Sequence, residues 1–266
     1  MLSPRIIHSR EGQEETMAGV QKLIAGNWKM NGTRAGAAAF AAQLTAKLAN
    51  VAIKGEMLIC PPALLIGDLV AGFQGSAVAV GGQDCHAKVK GAHTGDIAAT
   101  QLKDAGCSHV IVGHSERRTD HAETDAQVRA KAEAALAAGL VPIVCIGETA
   151  AQRQVGDTLA IVERQLRGSL PDTATAASTV VAYEPVWAIG SGAVPTEAEI
   201  AEVHGHLRAV LTSLGTEKAA IRLLYGGSVK GANAGAILSV ANVDGVLVGG
   251  ASLEAGEFFT IAASCP

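Results

Sequence analysis

Val180-Val181-Ala182-Tyr183-Glu184-Pro185-Val186-Trp187-Ala188-Ile189-Gly190-Ser191-Gly192 is the stretch on which the fold reading turns. Its first four residues form an apolar run short enough for a buried strand. A carboxylate follows at once, and a proline then fixes the chain direction. An ionised group at the end of a buried strand is costly unless a site uses it. The apolar-and-glycine remainder, with Gly190, Ser191 and Gly192 as flexible joints, reads as a hinged lid over a catalytic base. The same string also fits a plain strand–turn–helix junction, so its surroundings must decide.

Outward from that stretch the chain repeats one unit. Short apolar runs occur at Leu23–Gly26, Glu56–Cys60, Ala77–Val80, His109–Val112, Val141–Ile146, Val180–Tyr183, Ile221–Leu224 and Gly245–Val248. Helical patterns separate them, at Ala35–Ala49, Leu64–Ala71, Ile97–Ala105, Asp125–Ala138, Ala150–Leu166, Thr196–Leu214, Ala232–Ser239 and Glu254–Ala263. Runs this uniformly apolar belong to strands covered on both faces. Eight strands, each followed by a helix, predict an α/β protein, a closed (β/α)8 barrel of about 250 residues. An open doubly wound sheet would show a glycine-rich dinucleotide turn after its first strand, where this chain has Asn27-Trp28-Lys29-Met30-Asn31-Gly32. A single barrel domain over 22–266 is expected, behind a loose, polar and aperiodic extension over 1–21.

Composition agrees. Aromatics are 3% of the chain against 31 glycines, so the core must be Val, Ile, Leu and Ala. The net charge of -4 and the lack of a basic block give no sign of nucleic-acid binding. Neither a membrane span nor a secretory leader is evident. The five cysteines, Cys60, Cys85, Cys107, Cys145 and Cys265, have neither disulfide nor zinc spacing, which points to the cytoplasm. Among the eight histidines there is no H-E-x-x-H, and no metal site is expected.

In a barrel, residues at the carboxyl ends of strands converge on one mouth. Here they are Asn27 and Lys29, Gln83, His114 with Glu116, Cys145 to Glu148, Glu184, Gly227 with Ser228, and Gly249-Gly250. Lys29 is a cation placed for an anionic substrate, or else a surface lysine beside a packed indole. A helix starting near Ser115 would aim its positive end at His114 and favour a neutral imidazole. Glu116 reads as a salt-bridge partner for Lys29. Small residues at Gly190, Ser228, Gly249 and Gly250 expose backbone N–H groups, and barrels commonly hold phosphate after their last two strands. The connection Gly81–Gly95 is long enough to need a contact, with substrate or with a partner.

Six segments together resemble the triosephosphate isomerase family: Asn27–Gly32, Gly113–Arg118, Cys145–Glu148, Tyr183–Gly190, Tyr225–Val229 and Val248–Leu253. The likeness runs in order from about Lys22 to Phe259. It implies a TIM barrel that interconverts dihydroxyacetone phosphate and D-glyceraldehyde 3-phosphate without cofactor or metal. By the resemblance Glu184 is the base, His114 the neutral electrophile, and Lys29 and Asn27 steady the enediolate. Gly190, Ser228, Gly249 and Gly250 cradle the phosphate, and Tyr225 and Ser228 receive the lid over Pro185–Thr196. Gly81–Gly95 becomes a homodimer loop whose Thr94 reaches the neighbouring subunit's Lys29 and Asn27. A relative acting on a four-carbon ketose phosphate stays open, as does a barrel that binds a phosphorylated metabolite without turnover. Asp84, His93, Asp96 and Ala193-Val194-Pro195 depart from the common family pattern.

Overall fold

A computed structural model of the chain describes residues 21–189 and 194–266. The expected extension over 1–21, apart from Gln21, and Gly190 of the phosphate set lie outside the described residues. Eight parallel strands close into a barrel: β1 Leu23–Asn27, β2 Glu56–Cys60, β3 Val78–Gly82, β4 His109–Val112, β5 Val141–Ile146, β6 Val180–Tyr183, β7 Arg222–Tyr225 and β8 Gly245–Val248. Closure is direct, because β1 pairs with β8 in the register Leu23↔Gly245 through Gly26↔Val248.

The alternation of side chains along each strand explains the uniformly apolar runs. Leu23, Ala25, Leu58, Cys60, Ile143 and Cys145 belong to one buried cluster, the filling of the barrel. Their neighbours Ile24, Met57, Ile59, Val144 and Ile146 belong to the other, packed under the helices. Both faces are buried, so no strand shows a polar alternation.

Helix starts follow local chemistry. Thr124, Thr149 and Thr196 each cap the backbone three residues on, while Gln127, Gln152 and Glu199 reach back to complete a capping box. The predicted helix Ala150–Leu166 is two helices, Ala150–Gln154 and Thr158–Ser169. Gly156 between them takes φ +82°, a left-handed conformation that ends a helix. Predicted strands Ala77–Val80 and Ile221–Leu224 sit one residue later, and β3 and β7 run on to Gly82 and Tyr225. Among the described residues, no helix is long and apolar enough to cross a membrane.

Two of the three histidines buried among the described residues lie away from the barrel mouth. Burial pushes His109 and His204 down to about 4, and the nearby cations Arg222 and Arg208 push the same way. His204 lies in the helix Glu197–Ser213 and donates from Nδ1 to the Asn242 carbonyl at 3.0 Å. The folded chain therefore binds fewer protons at these sites than the unfolded chain, and stability rises with pH. Their contribution is full above pH 6.5 and is lost as pH falls toward about 4. Thermal unfolding followed across that window is expected to show a shallower pH slope in His204→Gln than in the wild type. Equal slopes would contradict the assignment.

Candidate active site

The first strand ends where Lys29 takes φ +52°, an uncommon conformation for a residue with a side chain. The turn is held from several directions. Asn27 Oδ1 accepts the Lys29 N–H at 3.1 Å, and Gln83 donates to the Lys29 and Cys60 carbonyls at 2.9 Å each. The Trp28 indole donates to the Ser252 carbonyl at 2.9 Å. Pinned in this way, Lys29 extends along the mouth and pairs through Nζ with Glu116 Oε1 at 2.7 Å.

At the end of β4, His114 is the N-cap of the helix Ser115–Asp120, and its Nδ1 accepts the Glu116 N–H at 3.2 Å. That bond occupies the Nδ1 lone pair, so the ring proton sits on Nε2. Nε2 faces Glu184 Oε1 at 2.8 Å. The other carboxylate oxygen, Oε2, accepts the Ser115 N–H at 3.1 Å. Both side chains are buried, with Glu184 at 2% exposure and His114 at 5%.

Burial is the largest influence on Glu184 and pushes its pKa up. The His114 ring, the Ser115 N–H and Lys29 outweigh it, and the carboxyl is held below its usual range. For His114 burial again comes first and lowers the pKa. Glu184, by charge and hydrogen bond, overcomes it, and the ring is held above its ordinary value. The helix start was expected to favour a neutral ring. Glu184 at 2.8 Å pulls toward the charged ring, while burial and the Glu116 N–H on Nδ1 favour the neutral one.

The backbone around Glu184 leaves no room for extra atoms. A Cβ on Gly147 would lie 1.8 Å from the Glu184 carbonyl oxygen, and one on Gly226 would lie 2.9 Å from Glu184 Cγ. Asn27, Lys29, His114, Glu184, Gly249 and Gly250 all border one cavity of about 340 Å³, a size suited to a small metabolite. An acceptor for a proton, a proton-bearing imidazole and an ammonium thus meet in a single buried-walled space.

A sequence model of the family described as triosephosphate isomerase matches residues 22–265. The chain belongs to the triosephosphate isomerase family. It is 58% identical over 248 residues to a triosephosphate isomerase of Bradyrhizobium diazoefficiens, covering 93% of this chain and 98% of that one. Against one from Ruegeria pomeroyi the identity is 60% over 243 residues, covering 91% and 96%. The crystal structure of triosephosphate isomerase from Bartonella henselae superposes with a TM-score of 0.85 at 48% identity, covering 92% of this chain and 99% of that one.

Within this triosephosphate isomerase fold Asn27, Lys29, His114, Glu184, Ser228, Gly249 and Gly250 border the same cavity, and Glu116 joins them through Lys29. Ser228 donates to the Ala188 carbonyl at 3.0 Å, joining the turn after β7 to the one after β6. The Tyr225 hydroxyl is buried without a partner among the described residues. Thr94 is exposed on the 81–95 connection and does not border the cavity at the mouth. Reading by position missed Ser115, whose N–H holds Glu184, and gave no role to Glu148, which accepts from the Tyr183 hydroxyl and the Trp187 indole at 3.2 and 2.8 Å. Glu148 stands in the Cys145–Glu148 segment, so its place at a strand end was the available signal.

Of the departures from the common family pattern, Asp84, His93 and Asp96 meet partners in the fold, and Ala193 lies outside the described residues. Asp84 pairs with Lys131 at 2.8 Å and with Arg117 at 2.9 Å. His93 stacks on His86 at 4.0 Å, and with Asp96 the two form a trio of metal-binding residue types. His86 Nδ1 accepts the Lys88 N–H at 3.0 Å, which leaves the proton on Nε2, 3.8 Å from Asp96. A metal at Nε2 needs that nitrogen bare, so the ring is in the wrong tautomer for a ligand there.

Because Glu184 holds the His114 pKa up, Glu184→Gln is expected to let burial and Lys29 dominate. The His114 pKa then falls from its wild-type position, with Glu116 the remaining group that raises it. Imidazole nitrogen NMR measures this directly. A histidine titration unchanged by the substitution would contradict the coupling.

Proposed function

We propose that this chain interconverts dihydroxyacetone phosphate and D-glyceraldehyde 3-phosphate through an enediolate. One observation carries the assignment of roles. A buried carboxylate is bonded to an imidazole whose other nitrogen is already committed to a backbone N–H. Glu184 is the base that moves a proton between neighbouring carbons. His114 Nε2–H is the donor to the substrate oxygens. Both jobs require the substrate to replace Glu184 on His114. Once the carboxylate moves away, the Glu116 N–H on Nδ1 favours the neutral ring. That ring can polarise a carbonyl and pass a proton between the two oxygens.

Lys29 and Asn27 stabilise the negative charge that develops on those oxygens. Preorganised donors in a water-poor site cost no rearrangement at the moment of reaction. Gly190, Ser228, Gly249 and Gly250 take the phosphate, with Tyr225 and Ser228 steadying the segment after Glu184. No metal or cofactor enters this scheme, and the five free, buried cysteines suit a reducing cytoplasm.

The working unit in this reading is a homodimer joined through Gly81–Gly95, with Thr94 inserted beside a neighbour's Lys29. A recess of about 640 Å³ lies beside that lysine, bordered by Gln83, Glu116 and Arg117, and is a suitable receptor for a loop tip. Met30 and Leu64, 96% and 90% exposed, are large apolar groups left for a partner to cover. Light scattering and assay at matched dilution are expected to show activity tracking the dimer. A fully active monomer would contradict the assembly.

Side-by-side kcat/KM values on dihydroxyacetone phosphate, D-glyceraldehyde 3-phosphate and a four-carbon ketose phosphate test the activity. The three-carbon substrates are expected to be preferred. Glu184→Asp withdraws the carboxylate by about 1 Å and is expected to cost ~100-fold in turnover while keeping phosphate binding. Unchanged turnover in that variant removes Glu184 from the role of base, and equal efficiency on the four-carbon sugar shifts the substrate class.

A further inference from the structure

Glu184 is gripped from both sides by one buried carboxylate. Glu148 Oε1 accepts from the Tyr183 hydroxyl at 3.2 Å and the Trp187 indole at 2.8 Å. The Glu148 backbone carbonyl accepts the Val186 N–H at 3.2 Å. The residue before the base and two of those after it are therefore tied to Glu148. This carboxylate is fully buried, and its Oε2 has no hydrogen-bond partner among the described residues. A charge in that position depends on a nearby cation.

The cation is Arg153. Its Nη1 lies 3.9 Å from Glu148 Oε1, and its guanidinium carbon sits 4.2 Å from the centre of the Trp187 ring. The same guanidinium pairs through Nη2 with Glu199 Oε1. Glu199 Oε2 in turn accepts from the Thr196 N–H at 2.7 Å and the Thr196 hydroxyl at 2.9 Å, so it is fixed by the cap of its own helix. A planar guanidinium can lie on the indole face and donate along its edge at once. A lysine ammonium can meet only part of that geometry.

We propose that Arg153 is a positioning residue for the isomerisation. It sets the Glu148–Trp187 clamp that fixes the backbone on either side of Glu184, and Glu199 holds the guanidinium in place. Arg153 does not border the active-site cavity, so it acts through Glu148 and Trp187 rather than on the substrate. The proposal rests on Glu184 being the base.

A double-mutant cycle tests it, with kcat, KM and thermal unfolding measured on the same preparations of wild type, Arg153→Met, Glu199→Gln and the pair, and Arg153→Lys alongside. A displaced base slows chemistry more than binding. Arg153→Met is expected to lower kcat about 10-fold, within the ~100-fold that a 1 Å misplacement costs, with KM changed less than about twofold. Glu199→Gln is expected to lower kcat by a smaller factor. The pair is then no worse than Arg153→Met, because Glu199 acts through Arg153. Arg153→Lys keeps the charge but loses the planar contact, and falls between wild type and Arg153→Met.

Wild-type kcat in Arg153→Met, or effects of the two single changes that multiply in the pair, overturns the proposal. So does a lowered unfolding temperature with kcat unmoved, which marks a purely structural bridge between helices. If Arg153→Met does not fold, Glu199→Gln and Arg153→Lys carry the same test, and wild-type kcat in both overturns it. Failure of the functional reading looks different: Glu184→Asp would then keep wild-type turnover whatever Arg153 does.

Discussion

The 2.8 Å contact between Glu184 and His114 is the interaction around which the mouth of the barrel is arranged. Neither group is comfortable alone. Burial pushes the carboxyl toward its neutral form and the imidazole toward its own. Together, with the Ser115 N–H on one side and the Glu116 N–H on the other, they keep an ionised carboxylate buried at the barrel mouth. The backbone pays close attention to this pair: Gly147 and Gly226 are bare where a methyl group would collide with Glu184. The resting contact also keeps apart the two roles the reaction demands. In the proposed reaction Glu184 acts as the base, and His114 as a neutral donor, once substrate comes between them.

Parallel closure makes such a pair possible. Glu184 follows β6 and His114 follows β4, two strands that are not neighbours but both border β5. Their side chains meet because the strand ends converge on one rim. Lys29, 85 residues before His114 in the numbering, reaches the same rim from β1 and joins it through Glu116.

This architecture was legible because each strand is buried on both faces and announces itself as a short apolar run. All eight runs overlap strands, and the residues at their carboxyl ends include Asn27, His114, Glu184 and Gly249-Gly250. The break at Gly156 was hidden because a glycine in a helical pattern signals an end only when its φ is known. Arg153 was hidden for a different reason. Its partners Glu148, Trp187 and Glu199 come from three segments, and no local pattern marks an arginine that joins them. Asp84 looked like a departure from the family's pattern, but its pairing with Lys131 and Arg117 is a tertiary compensation that single-sequence reading does not contain.

The central claim is that Glu184 carries a proton between carbon atoms, and isotope exchange tests it most directly. Dihydroxyacetone phosphate is incubated with the enzyme in D2O, and deuterium at the carbons beside the carbonyl is followed by proton NMR. Wild type is expected to incorporate solvent deuterium as it isomerises. Glu184→Gln, which leaves the size of the side chain nearly unchanged, is expected to lose that exchange while still binding inorganic phosphate. Exchange at the wild-type rate in Glu184→Gln would contradict the account.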